Sequence, residues 1–279
     1  MSRVRRISSI FHPSDFTEAS EIAFVHALRI ALIARASLTM LHVDPGYDAD
    51  WDDFPGVRTT LERWGLIARN SAKHAVTELG IDVQKIIASD RSPVKASLNF
   101  LQKHPADLIV LAVHQYEGHV HWLHKRVAEP IAHATGAMTL YLPYGVRGFV
   151  AREDGAISLK SILLPVAAKP RAEPAVTAVE RIIDSLQVPP GRVHLLHVGD
   201  AEDVPLLQIP AESAWDWTMH VQSGDPVEMI VLTAAAAKSD LIVMTTEGPQ
   251  GFLDALRGNT AARVLRECGC PVLTLHAVS

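Results

Sequence analysis

Short apolar runs alternate with longer helical patterns along nearly the whole chain. Residues 7–12 form an apolar run of the kind that fills a strand buried on both faces. Residues 18–35 carry the helical period: Phe24, Ala27, Leu28 and Ala31 share one face, and Glu21 and Arg29 lie off it. Further strands are predicted over residues 38–43, 83–88, 108–113 and 138–142, with helical patterns between them. A second set follows at residues 162–166, 193–198, 217–221, 241–245 and 272–276. This alternation predicts an α/β fold with parallel sheets and helices on both faces.

The two sets are copies. Ile10-Phe11-His12-Pro13 and Met40-Leu41-His42-Val43 recur as Leu163-Leu164-Pro165 and Leu195-Leu196-His197-Val198. Asp107-Leu108-Ile109-Val110-Leu111 recurs as Asp240-Leu241-Ile242-Val243-Met244. Pro13 and Pro165 are 152 positions apart, His42 and His197 155, and Asp107 and Asp240 133. The second copy is therefore shorter by about 22 residues between its second and fourth strands. In the first copy residues 59–79 read as one helix, with Leu61, Leu66, Ile67 and Ala75 in its pattern. The corresponding residues 201–213 contain Pro205 and Pro210 and have no helical period, so the second copy is predicted to lack one helix. A length of 279 residues suits two cores, with domains expected at residues 1–147 and 158–279. Residues 145–158, with Gly148 and Arg152-Glu153-Asp154-Gly155, read as the linker.

Charge and composition narrow the function classes. Lys and Arg number 26 against 31 Asp and Glu, a formal charge of -5, which argues against a nucleic-acid partner. The longest apolar candidate for a membrane span, residues 22–43, is broken by His26, Arg29, Arg35 and His42, so no membrane partner is expected. The basic start (Arg3, Arg5, Arg6) precedes an apolar stretch too short for a secretory signal. Cys268 and Cys270 alone make no disulfide framework and are expected to pack, in a cytoplasmic protein.

Pro13-Ser14-Asp15-Phe16-Thr17-Glu18-Ala19-Ser20 followed by Leu41-His42-Val43 resembles the opening of a universal stress protein domain. Asp240 to Met244, then Gly248, then Gly258 after nine residues, then Cys270-Pro271-Val272-Leu273 resembles its closing half. The chain thus resembles a tandem universal stress protein over nearly its whole length. The resemblance implies two Rossmann-like domains, each a five-stranded parallel sheet of order 3-2-1-4-5. It also implies that the two pair through their last strands, residues 138–142 against 272–276, as an internal pseudo-dimer able to pair again as a homodimer. Some members bind ATP and others do not.

In ATP-binding members an Asp and a Val at the first two strand ends hold the nucleoside. A G-x2-G-x9-G-(S/T) loop after the fourth strand cradles the phosphates, where glycines admit backbone N–H groups and a helix N-terminus adds a favourable dipole. Carried over, Pro13, Asp15 and Val43 match the nucleoside positions of the first domain, but its loop positions fall on Ala112, Gln115, Lys125 and Arg126. The second domain keeps Val198, Gly248 and Gly258, adds Gly251, and has Asn259-Thr260 to cap the helix. Thr245 replaces its first glycine, Asn259 its Ser/Thr, and Ala167 its Asp. The resemblance implies a small nucleotide, ATP with Mg²⁺, in the second domain. An inherited turn kept for its backbone geometry is the alternative there, and a helix cap is the alternative for Asp15.

Where the first domain's phosphate loop belongs, His114, His119, His121 and His124 crowd eleven residues. With Glu117 or His12 they offer ligands for Zn²⁺. The spacing matches no established zinc motif, and loop hydrogen bonding is the alternative use. No G-x-x-x-x-G-K-[ST], G-x-S-x-G or H-E-x-x-H is present. The reading is a binding or regulatory protein of the stress response, with a zinc-binding protein, a ligand-free interaction scaffold and a slow ATPase as alternatives.

Overall fold

A computed structural model describes residues 7–44, 46, 50–113, 137–186, 188–210, 212–246 and 260–276. The first half contains β1 (Ser9–Pro13), α1 (Glu18–Ala34), β2 (Ser37–Val43), α2 (Val57–Arg63), α3 (His74–Glu78), β3 (Val83–Ala88), α4 (Pro93–Lys103), β4 (Leu108–Val113) and β5 (Met138–Pro143). The second contains β6 (Ser161–Pro165), α5 (Glu173–Leu186), β7 (Arg192–Val198), β8 (Asp216–Gln222), α6 (Pro226–Ala236), β9 (Leu241–Thr246), α7 (Thr260–Glu267) and β10 (Val272–His276).

All ten strands form one sheet of order β3-β2-β1-β4-β5-β10-β9-β6-β7-β8. Each half has the order 3-2-1-4-5. Every neighbouring pair is parallel except β5 and β10, which meet antiparallel with Leu140 opposite Leu273. The central strands read as continuous apolar runs because both faces are covered: all six residues of β4 are buried. On one face Ile10, Phe24, Leu28, Val110, Leu140, Leu164, Val179 and Leu273 form a single core layer spanning both halves. On the other, Phe11, Ile109, Leu111, Leu163, Ile230, Ile242 and Val264 form the second layer.

The repeated aspartates have one structural job. Asp107 Oδ2 accepts hydrogen bonds from the N–H groups of Ser8 (2.8 Å) and Ser9 (3.1 Å). Asp240 Oδ2 accepts from those of Lys160 (2.7 Å) and Ser161 (3.0 Å). Each clasps the start of its half's first strand. Helices begin where the sequence supplies caps: Thr17 for α1, Ser92 with Pro93 for α4, Asp225 with Pro226 for α6.

One expectation is corrected and one is met. Residues 59–79 are not one helix but the short α2 and α3. Gly65 (φ 70) and Asn70 (φ 58) take the left-handed conformation between them, which breaks the helical path. In the second half, among the described residues, only a 3₁₀ turn at Ala201–Asp203 lies between β7 and β8, and Met219 and Val221 of β8 are exposed.

Residues 145–158 are more than a spacer. Phe149 and Val150 are buried, and Val150 bridges to Ile157. The Trp64 indole donates to the Arg152 carbonyl at 3.0 Å, and the Arg152 guanidinium reaches Glu21 at 2.5 Å. The connector is thereby docked on α1 and α2. Both cysteines are buried thiols outside any disulfide, and burial pushes Cys268 up to about 11. Among the described residues no helix is long and apolar enough to cross a membrane.

Candidate functional site

In open parallel sheets ligands bind beyond the carboxyl ends of the strands, where strand order reverses. Each half has such an edge, and the two are built differently.

In the first half β1 ends at Pro13, and Asp15 sits in the turn into α1. Its Oδ1 accepts from the Thr17 N–H (3.1 Å), the Thr17 hydroxyl (2.7 Å) and the Ser20 hydroxyl (2.5 Å). The carboxylate therefore organises the start of α1, the capping role set beside the nucleoside role. Phe16 follows at φ 63, which turns its ring onto His42, with centroids 3.9 Å apart and planes 18° apart. Phe54 meets Phe16 edge-on at 4.9 Å, Trp51 stacks on Phe54 at 6.2 Å, and Lys85 Nζ lies 5.6 Å over the Phe54 ring. Desolvation lowers the Lys85 pKa, with Asp52 opposing that shift. An aromatic cover thus lies over the ends of β1 and β2. Val43, half-buried, packs into the second core layer.

His12 is wholly buried. Its Nδ1 lies 3.0 Å from the Val110 carbonyl, which only accepts, so Nδ1 carries the proton. Nε2 is then an acceptor and has no hydrogen-bond partner among the described residues, and burial lowers the pKa to about 4.

His42 and His197 were part of the repeat, but their shared role emerges only in three dimensions. His42 Nδ1–H donates to the Ser14 carbonyl at 2.8 Å, and His197 Nδ1–H to the Val166 carbonyl at 3.2 Å. Each ties the end of its half's second strand to the residue after the first strand. The signal in the sequence was a histidine at the same place in both copies.

Around His197 the chemistry differs from that around His42. Its Nε2 is a buried acceptor without a partner among the described residues. Gly199 stands beside it at φ 150, and a Cβ there would come within 3.0 Å of that nitrogen. No ring contact covers this imidazole among the described residues. Val198 is half-buried and Ala167 follows Val166. Thr245, near the end of β9, buries its hydroxyl without a hydrogen-bond partner among the described residues. Thr260 opens α7, and Arg263 one turn later reaches both carboxylate oxygens of Asp225 at 3.3 Å.

Gly248, Gly251, Gly258 and Asn259 lie outside the described residues, as do His114, His119, His121 and His124. Pro13, Asp15 and Val43 lie at the ends of β1 and β2 in the first half, while in the second Val198 ends β7 and Thr260 opens α7. Among the described residues no three His, Cys, Asp or Glu side chains gather in a metal-binding group.

The sequence model of the universal stress protein family matches residues 8–141 and 211–276. A universal stress protein of Methanocaldococcus jannaschii is 26% identical over 163 residues, 49% of this chain and 92% of that protein. Among solved structures, a universal stress protein from Archaeoglobus fulgidus superposes with a TM-score of 0.63 at 14% identity, covering 96% of each chain. A functionally unknown protein from Pseudomonas aeruginosa gives 0.59 at 15% identity, covering 97% of this chain and 93% of that one. At such identity the structural likeness speaks for the fold. The family match extends over more than half of the sequence and reaches into both halves, and on that ground the chain belongs to the universal stress protein family.

Proposed function

We propose that the protein is a non-enzymatic, nucleotide-responsive regulator of the stress response, with its ligand site in the second half. The ligand is ATP with Mg²⁺. Residues 248–260 would cradle the phosphates through the backbone N–H groups of Gly248, Gly251, Gly258, Asn259 and Thr260. The nucleoside would lie at the ends of β6 and β7 against Val198. The same reading takes residues 1–147 and 158–279 as the two domains of a cytoplasmic protein.

The observation that carries this reading is the contrast between His42 and His197. His42 lies under Phe16, within the cover that Phe54 completes, whereas His197 has a bare acceptor nitrogen beside a glycine. A buried imidazole acceptor is costly unless something donates to it, and an amine or hydroxyl of a nucleoside has the complementary chemistry. His12 Nε2, at the end of β1, is also an acceptor without a partner among the described residues, so this contrast concerns the second-strand histidines, and the glycines of residues 248–258 are what favour the second half.

Thermal unfolding of the whole protein with and without MgATP tests the reading. The expected result is a rise in Tm that Gly258→Arg removes while the unliganded Tm stays the same. No rise for the unmodified protein overturns it.

A further inference from the structure

On the opposite side of the molecule from those strand ends, a cavity of about 480 Å³ lies at the pseudo-twofold axis between α1 and α5. Its walls come from the amino-terminal ends of the strands, Leu108, Met138 and Leu241, and from the last turns of both helices. Three pairs of lining residues are repeat equivalents: Ile30 with Ile182, Leu108 with Leu241, and Leu140 with Leu273. The cavity is therefore a product of joining the two halves through β5 and β10, and neither half encloses it alone.

Among the described residues its lining is nearly all aliphatic, with Phe149 the single ring, and its size falls within the roughly 300–1,000 Å³ of small-molecule sites. Polarity enters only along one edge, at Arg181, Asp184 and Ser185 of α5. Asp184 and Ser185 are solvent-exposed, where water screens the carboxylate. Arg181 is half-buried, and desolvation lowers its pKa. Its repeat equivalent Arg29 does not line the cavity, so among the described lining residues the cation comes from α5. A guanidinium offers five donors in a planar fork, enough to take a carboxylate in addition to other bonds.

We propose that this cavity binds a linear amphipathic monocarboxylate of the fatty-acid class, its chain between Ile30, Leu140, Ile182 and Leu273 and its carboxylate on Arg181. An unbranched chain suits walls of Ile, Leu and Met, which adapt to a flexible aliphatic guest. The carboxylate would add a charge-assisted hydrogen bond to the contacts the guanidinium already has.

Dodecanoate, held below its micelle-forming range, is titrated into the whole protein by calorimetry. Saturable uptake of one molecule per chain is expected, with a negative heat-capacity change from apolar burial. Arg181→Gln should weaken dodecanoate by about tenfold and leave uncharged dodecanol unaffected. Ile33→Trp and Met138→Trp should each block uptake in a variant that still melts like the unmodified protein. MgATP should not compete, because the strand ends opposite are a separate place. The proposal is overturned by any of four results: no saturable uptake by the unmodified protein, equal loss of dodecanol in Arg181→Gln, full uptake in a folded cavity-filling variant, or competition by MgATP.

Discussion

His26 Nε2, in the middle of α1, accepts the backbone N–H of Phe149 at 3.0 Å across 123 residues of chain. It also accepts the N–H of Val150 at 3.2 Å. On the other side of the ring Nδ1–H donates to the Ile22 carbonyl at 2.8 Å. The two nitrogens therefore have fixed roles, one donor and one acceptor, which only the neutral imidazole can fill. The connector between the halves is held to the first half by this ring.

Acid should release it. Burial lowers His26 to about 4 and His12 to about 4, against an ordinary value of 6.5. Both fold as neutral rings, so their contribution is complete above pH 6.5 and falls away as pH drops from 6.5 towards 4, where the unfolded chain binds protons that the folded one does not. Each accounts for on the order of 3 kcal/mol across that window. Urea unfolding at pH 7.5 and at pH 4.5 should show the loss. In His26→Leu the slope of stability against pH should drop by about one proton. A slope unchanged by that substitution would count against the assignment.

The same contact fixes a glycine. Gly148 has φ 70, and a Cβ there would lie 2.3 Å from His26 Nε2. Gly145 has φ 79 with nothing within 4 Å of its Cβ position. Gly148→Ala should lose about 2–4 kcal/mol, from strain plus displaced packing. Gly145→Ala should lose about 1 kcal/mol, from strain alone. Urea midpoints measure both, and equal losses would mean that the His26 contact does not matter.

The thiols should be silent in the native protein. Cys268 is pushed up to about 11 by burial, and Cys270 is raised further by burial and by Cys268 beside it. The reactive thiolate is then scarce at pH 8. Ellman's reagent should react slowly until urea is added and then titrate both. Fast reaction without denaturant would show that the segment before β10 opens readily.

Unfolding should be a single event in spite of the internal repeat. One core layer runs through Leu140 of β5 and Leu273 of β10, and the connector is docked as well. Circular dichroism and tryptophan fluorescence should report one midpoint, and Leu273→Asp, which buries an unpaired charge at the junction, should lower both together. Two separated transitions would make the halves independent folding units.

The strands were legible in the chain, because buried parallel strands are written as local apolar runs and a repeat reveals its own period; the order of each half and the pairing of the last strands followed only from the family resemblance, and the antiparallel sense of that junction came from the structure. The loss of the helical segment from the second half was legible from Pro205 and Pro210. The split into α2 and α3 was not, since Gly65 and Asn70 only break a helix once their left-handed conformations are known. Asp15 looked equally suited to a nucleoside or to a cap, and three donors from Thr17 and Ser20 place it in the turn. Local pattern specifies strands, caps and the repeat, because those depend on neighbours in sequence. The aromatic cover on His42, the bare acceptor on His197 and the shared cavity at the axis depend on side chains far apart in the chain, and only their packing in space decided them.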